Sequence, residues 1–153
     1  MTRRRAAALL PVCAIALVGA APVAPVEGGV KIVVNVTELR NAKGVVRACM
    51  TSDRAHFPHC RGIAGTHFAR VDAHEGALTV TFTGVEPGRY AIALLHDEND
   101  NGKADRALGM MPTEGFGFSR DAKVRMGPPE FDDAVFDVDH ADRRMTIRMR
   151  YML

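Results

Sequence analysis

The chain has 153 residues, 47% hydrophobic and 25% charged, with 20 basic and 18 acidic side chains, three cysteines and no Trp. That length suits one domain with a real core. No basic cluster with interleaved aromatics is present, which argues against nucleic acid as a partner.

The first stretch reads "MTRRRAAALLPVCAIALVGAAPVAP". Arg3, Arg4 and Arg5 precede an apolar run from Ala6 to Val18, and small residues follow, which is the grammar of a cleaved secretory signal peptide. The run is shorter than the roughly 20 residues that span hydrocarbon, and Pro11 interrupts it. Residues 1–20 are therefore read as the signal, 21–29 as a short linker and 30–153 as the folded domain. Without Arg3, Arg4 and Arg5 the balance is 17 basic against 18 acidic residues, so the excess of positive charge belongs to the signal.

From Val30 onward, alternation with a period of two dominates the chain. "VKIVVNVTEL" places Val30, Ile32, Val34 and Val36 on one face. "ALTVTFTGV" sets Leu78, Val80 and Phe82 against Thr79, Thr81 and Thr83, and "MTIRMRYML" buries Met145, Ile147, Met149 and Tyr151. Each predicts a half-buried strand. "GVVRACM", "AVFDVD" and "HFARVDA" are shorter candidates, and "RYAIALLH", apolar on both faces, predicts a central strand. "NAKG" at 41–44 separates the first two strands as a hairpin would, and "EPG" at 86–88 separates the fourth from the fifth. About seven short strands without convincing helices predict an all-β single sandwich, with a small closed barrel as the rival.

Cys49 and Cys60 form an even pair in a chain read as exported, which predicts one disulfide. The loop of about 12 residues gives roughly 3 kcal/mol of chain-entropy stabilisation. The competing reading is a metal site drawing on His56, His59, Cys60 and His67.

From Asp97 to about Asp132 alternation fades and Gly and Pro accumulate, yet Met110, Met111, Phe116, Phe118 and Phe131 give the stretch apolar weight. This predicts one long structured loop packed on the sandwich, the place where function most often resides. Within it, "DENDNGKAD" aligns with a calcium loop: Asp97, Asn99 and Asn101 at positions 1, 3 and 5, Gly102 at 6, the Lys103 carbonyl at 7 and Asp105 at 9. Hard oxygens spaced two apart converge when the chain curls around an ion. Position 12, normally Glu, is Leu108, which leaves Glu114 as a candidate replacement. The alternative is an Asx-rich turn without an ion. His96, Phe116 and Phe118 are the candidate binding surface. A catalytic reading would use His96 with residues of the 96–133 loop, but no G-x-S-x-G or H-E-x-x-H motif accompanies it, so no catalytic residue is assigned.

"GRYAIALLHDENDNGKAD", "GMMPTEGFGFS" and "GPPEFDDAVF" resemble, in order and spacing, an uncharacterised bacterial exported family, domain of unknown function 2141. A weaker similarity runs to transthyretin-like and carboxypeptidase-regulatory-like sandwiches, and the Asp97 loop is similar to calcium loops of repeated B-type domains in bacterial surface adhesins. The resemblance implies an immunoglobulin-like or transthyretin-like sandwich, exported to the periplasm or secreted, and no activity. The expectation is a non-enzymatic binding or structural module of the envelope with calcium in its loop and an envelope or surface partner. No nucleic acid and, after signal cleavage, no transmembrane segment are expected. The alternative is a small hydrolase or carbohydrate-processing enzyme using residues 96–133.

Overall fold

In the computed structural model, which describes residues 28–60, 62–107 and 111–153, the alternating segments are strands that bury the predicted faces. The expected signal (1–20) and most of the expected linker (21–27) lie outside the described residues, as does Leu108. Strand β1 spans Val30–Leu39, β2 Val45–Thr51, β3 His67–Asp72, β4 Gly76–Val85 and β5 Gly88–Asp97. Two-residue strands β6 (Arg106–Ala107) and β7 (Met111–Pro112) pair with each other. They are followed by β8 (Gly115–Phe118), a 3-10 turn at Ser119–Asp121 and a one-turn helix α1 (Phe131–Ala134). Strands β9 (Phe136–Val138) and β10 (Arg143–Arg148) complete the chain.

Two sheets face each other. The smaller has the order β10-β1-β4, and the larger β3-β2-β5-β8, with β9 pairing to the first residues of β5. Ile32, Val34, Val36, Leu78, Val80, Phe82 and Ile147 from the first meet Val46, Ala48, Met50, Ile92 and Leu94 from the second in one core. Each of these side chains larger than Ala48, fully withdrawn from water, contributes about 1.5–3 kcal/mol before the entropy of ordering is charged against it.

Among the described residues, the sandwich is stitched along one side only. Phe116 and Arg150 exchange backbone hydrogen bonds of 3.0 and 2.8 Å, and Asp121 accepts the Arg148 N–H at 3.1 Å. On the opposite side β3 and β4 end their sheets. These two edges separate a sandwich from the closed barrel.

One expectation needs adjusting, and two connections go beyond what was expected. The 41–44 turn is not a hairpin: β1 and β2 belong to different sheets, so the turn carries the chain from one layer to the other. The 86–88 turn does the same between β4 and β5. Strand β10 runs parallel to β1, Ile32 opposite Arg143 and Thr37 opposite Arg148, a pairing that period-two patterning does not reveal.

The long loop is structured, as expected. Residues of the 119–135 segment cover the outer face of β5, where Ala91, Phe118, Ala122, Phe131, Ala134 and Val135 form a second buried cluster with Phe57 against it. This explains why "RYAIALLH" is apolar on both faces. Ser119 is buried at the seam: its hydroxyl accepts the Ile92 N–H at 2.9 Å and donates to the Ala134 carbonyl at 2.5 Å. Cys49 and Cys60 are joined by a disulfide, which holds the Phe57 loop against that cluster.

Candidate functional site

Asp97 ends β5 facing outward, and its side chain is completely buried. Its Oδ1 accepts the Asn101 N–H at 3.0 Å, and its Oδ2 accepts the Gly102 N–H at 2.8 Å and Arg47 Nε–H at 2.6 Å. A buried carboxylate is tolerable only when paired and hydrogen-bonded, and here the loop itself supplies most of the donors. Beyond it, Asn99 Oδ1 accepts Asn101 N–H at 3.1 Å and Asn101 Oδ1 accepts Lys103 N–H at 2.7 Å, successive Asx turns. The two amides then donate to one oxygen: Asp105 Oδ2 lies 2.7 Å from Asn99 Nδ2 and 2.8 Å from Asn101 Nδ2.

Glu114 closes the loop from the bend before β8. Its Oε1 accepts the Glu98 N–H at 3.0 Å and its Oε2 the Asp105 N–H at 3.1 Å, so one buried carboxylate ties both ends together. Burial pushes its pKa up, opposed by those two N–H donors.

The candidate calcium ligands thus divide into two groups. Asn99, Asn101 and Asp105 converge on one point. Asp97 and Glu114 do not join them, because their oxygens are spent on backbone N–H groups and, for Asp97, on a guanidinium. Among the described residues no group of three or more His, Cys, Asp or Glu side chains could hold a metal ion. Coordination by the convergent set would require both amides to turn their oxygens inward, so the donor set fits calcium only in part.

A polar cleft of about 530 Å³ opens beside the loop, lined by Arg40, Asn41, Lys43, Glu98, Asn99, Asp105, Thr113 and Glu114. Sequence reasoning missed its near wall, since "RNAK" reads as a charged turn and only the layer-to-layer crossing brings it against Glu98. Arg40 donates through Nε to Glu98 Oε1 at 3.0 Å and through a terminal nitrogen to the Thr113 carbonyl at 3.0 Å. It also stacks 4.5 Å over the Tyr151 ring, and Asn41 donates to the same Glu98 carboxylate.

The Arg40 hydrogen bond is the largest cause holding the Glu98 carboxyl below its usual range, with Asn41 adding to it and burial opposing. An acid with a depressed folded pKa contributes stability above its unfolded pKa of about 4.3 and loses it as pH falls through the folded value. Glu98→Gln is therefore expected to flatten the acid limb of the stability–pH curve and to cost about 1 kcal/mol at neutral pH. Glu114 has the opposite sign, its raised pKa adding stability as pH falls. Urea midpoints at several pH values check this; an unchanged acid limb in the variant would count against the Arg40–Glu98 tie.

His96 points the other way, into the sandwich, as alternation along a strand requires. It is completely buried. The Lys43 carbonyl can only accept, so Nε2–H donates to it at 2.8 Å, leaving Nδ1 to accept the Tyr151 hydroxyl at 2.7 Å. Of the three residues expected at a binding surface, His96 and Phe118 are buried and only Phe116 is partly open. The correction has its cause in the covering side chains: Tyr151 packs edge-on against His96, and Phe57 packs against Phe118, with Phe131 in the same cluster. His56, by contrast, is exposed, with Nδ1 2.7 Å from Asp53 Oδ2, and that imidazole holds the Asp53 carboxyl below its ordinary value.

A family model described as "Uncharacterized protein conserved in bacteria (DUF2141)" matches residues 34–146, from the middle of β1 to the middle of β10. No curated protein and no solved structure matches.

Proposed function

The chain belongs to this uncharacterised bacterial family, and from that premise we propose that it is an exported, non-enzymatic binding or structural module of the bacterial envelope. Its working surface is the cleft between the 40–43 turn and the 97–114 loop. Export to the periplasm or beyond is supported by the Cys49–Cys60 disulfide, which persists in oxidising compartments. Among the described residues no helix is long and apolar enough to cross a membrane.

The observation that carries the reading is the convergence of Asn99, Asn101 and Asp105 beside the cleft, on a loop anchored at both ends by buried carboxylates. The backbone of such a loop is held in one shape before any ligand arrives, so that only side chains need move on binding. Calcium is proposed as the ion that this cluster takes, with the two amides reoriented to present oxygen. The enzyme alternative loses support because both nitrogens of His96 are engaged inside the fold.

Thermal unfolding with excess calcium and with chelator is the test, on the wild type and on Asp105→Ala. Calcium at 100 times its dissociation constant adds about 2.7 kcal/mol. The expected result is a raised Tm in the wild type that is absent in Asp105→Ala. No shift at millimolar calcium, or an equal shift in the variant, would remove calcium from the proposal. Hydrolytic turnover of a glycoside or ester panel that survives purification would overturn the non-enzymatic reading.

A further inference from the structure

Strand β4 is one of the two strands that end the sheets on the unstitched side of the sandwich, and among the described residues its backbone pairs only with β1. Proteins guard such edges with charges, proline, bulges or short length, because an unguarded edge templates another strand. The neighbouring edge obeys this rule: β3 has six residues and carries Arg70 and Asp72, with Arg70 ion-paired to Asp100. Strand β10 carries Arg143, Arg144 and Arg148 in six residues. Strand β4 has ten residues, "GALTVTFTGV", with no charge and no proline, and its register shifts against β1 fall outside the stretch from Leu78 to Phe82, which pairs regularly.

We infer that the β4 edge is a self-association surface, on which a second copy of this chain pairs antiparallel and joins two three-stranded sheets into one of six. The occupant is a second copy because the edge is complementary to itself. Thr79, Thr81 and Thr83 alternate with Leu78, Val80 and Phe82, the threonines exposed and the apolar residues buried. Antiparallel pairing centred on either Val80 or Thr81 sets threonine opposite threonine on the outer face, a favourable cross-strand pair. It also keeps the apolar side chains on the core face.

The intervening register, slipped by one residue, fails twice. It would turn each threonine against an apolar position and bring Glu75 opposite Glu86 of the other copy. The two acids fence the uncharged segment at its ends, so they select among registers rather than block pairing. A strand with Arg or Asp in its middle could not make this symmetric contact without setting like charges close together.

Sedimentation equilibrium of the protein as purified tests the inference, beside Thr79→Lys/Thr81→Lys and Thr146→Lys. The double variant places like charges across the proposed contact. Thr146→Lys places one on β10, exposed on the same sheet face but remote from the β4 edge. A dimer is expected in the wild type and in Thr146→Lys. In the double variant its dissociation constant should rise at least about tenfold, with far-UV circular dichroism unchanged. A wild type that stays monomeric up to about 1 mM overturns the inference. So does a dimer that the two lysines leave at its original strength.

Discussion

Gly44→Ala is expected to cost about 3 kcal/mol or more of stability, although it adds one methyl to a surface turn. Gly44 sits at φ +63°, and a Cβ there would lie 2.0 Å from the Asp97 carbonyl oxygen and 2.7 Å from the Glu98 carbonyl carbon. These atoms are backbone, so no side-chain rotation relieves the overlap. Either β2 slides away from β5, losing the Val45–Asp97 pairing, or the 97–105 loop moves outward. Both routes pull Lys43 from His96 and widen the cleft. Gly65→Ala is the control: its φ of +74° carries similar strain, but nothing lies within 4 Å of its Cβ. Only the backbone cost of about 1 kcal/mol applies there. Urea denaturation of the two variants separates them, and equal midpoints would show that the close approach to Asp97 is not what matters at Gly44.

Sequence patterning revealed faces better than neighbours. The buried sets on β1 and β4 follow from alternation alone, because a half-buried strand has only one way to hide Ile32, Val34 and Val36 or Leu78, Val80 and Phe82. Which strands pair is a different question. The 41–44 turn has hairpin composition, yet it links two layers, since turn residues encode local φ and ψ and not the sheet that the chain enters next. The parallel β1–β10 pairing joins segments more than a hundred residues apart, and nothing local announces it. "EGFGFS" shows the same limit. Gly115 and Gly117 look like loop glycines, but a Cβ on the first would lie 2.3 Å from the Tyr151 ring and on the second 2.9 Å from Ile147. They are small because the end of the chain packs on them.

At the site, spacing set Asp97, Asn99, Asn101, the Lys103 carbonyl, Asp105 and Glu114 around one ion, and of their side chains Asn99, Asn101 and Asp105 converge. It could not say that Asp97 would be drawn to Arg47, fifty residues earlier, or Glu114 to the Glu98 N–H, because tertiary packing brings those partners together. Nor could it show His96 buried, since a histidine ending a strand looks the same from sequence whether its next layer is solvent or Tyr151.

Asp97→Ala is expected to destabilise the protein by about 3–5 kcal/mol, with or without calcium. Removing the carboxylate takes away an acceptor of the Gly102 N–H and one of the two acceptors of the Asn101 N–H, which keeps Asn99 Oδ1. It also leaves Arg47, whose side chain is only 30% exposed, facing an apolar methyl, with Asp100 at 2.6 Å as its remaining partner. Breaking one half of a buried ion pair costs more than the pair contributes, because the surviving charge keeps its desolvation penalty. Asp97→Asn keeps the shape and one accepting oxygen, so its loss should be smaller, about 1–3 kcal/mol. The double variant Asp97→Ala/Arg47→Met, which removes both charges, is expected to recover part of the loss relative to Asp97→Ala. This ordering, Ala worse than Asn and partly rescued by the second change, separates a structural anchor from an ion ligand. An ion ligand would instead give variants of wild-type stability in chelator that differ only when calcium is present. If chelator-treated Asp97→Ala unfolds at the wild-type midpoint, the buried carboxylate is not anchoring the loop, and the ion becomes the main reason for its presence.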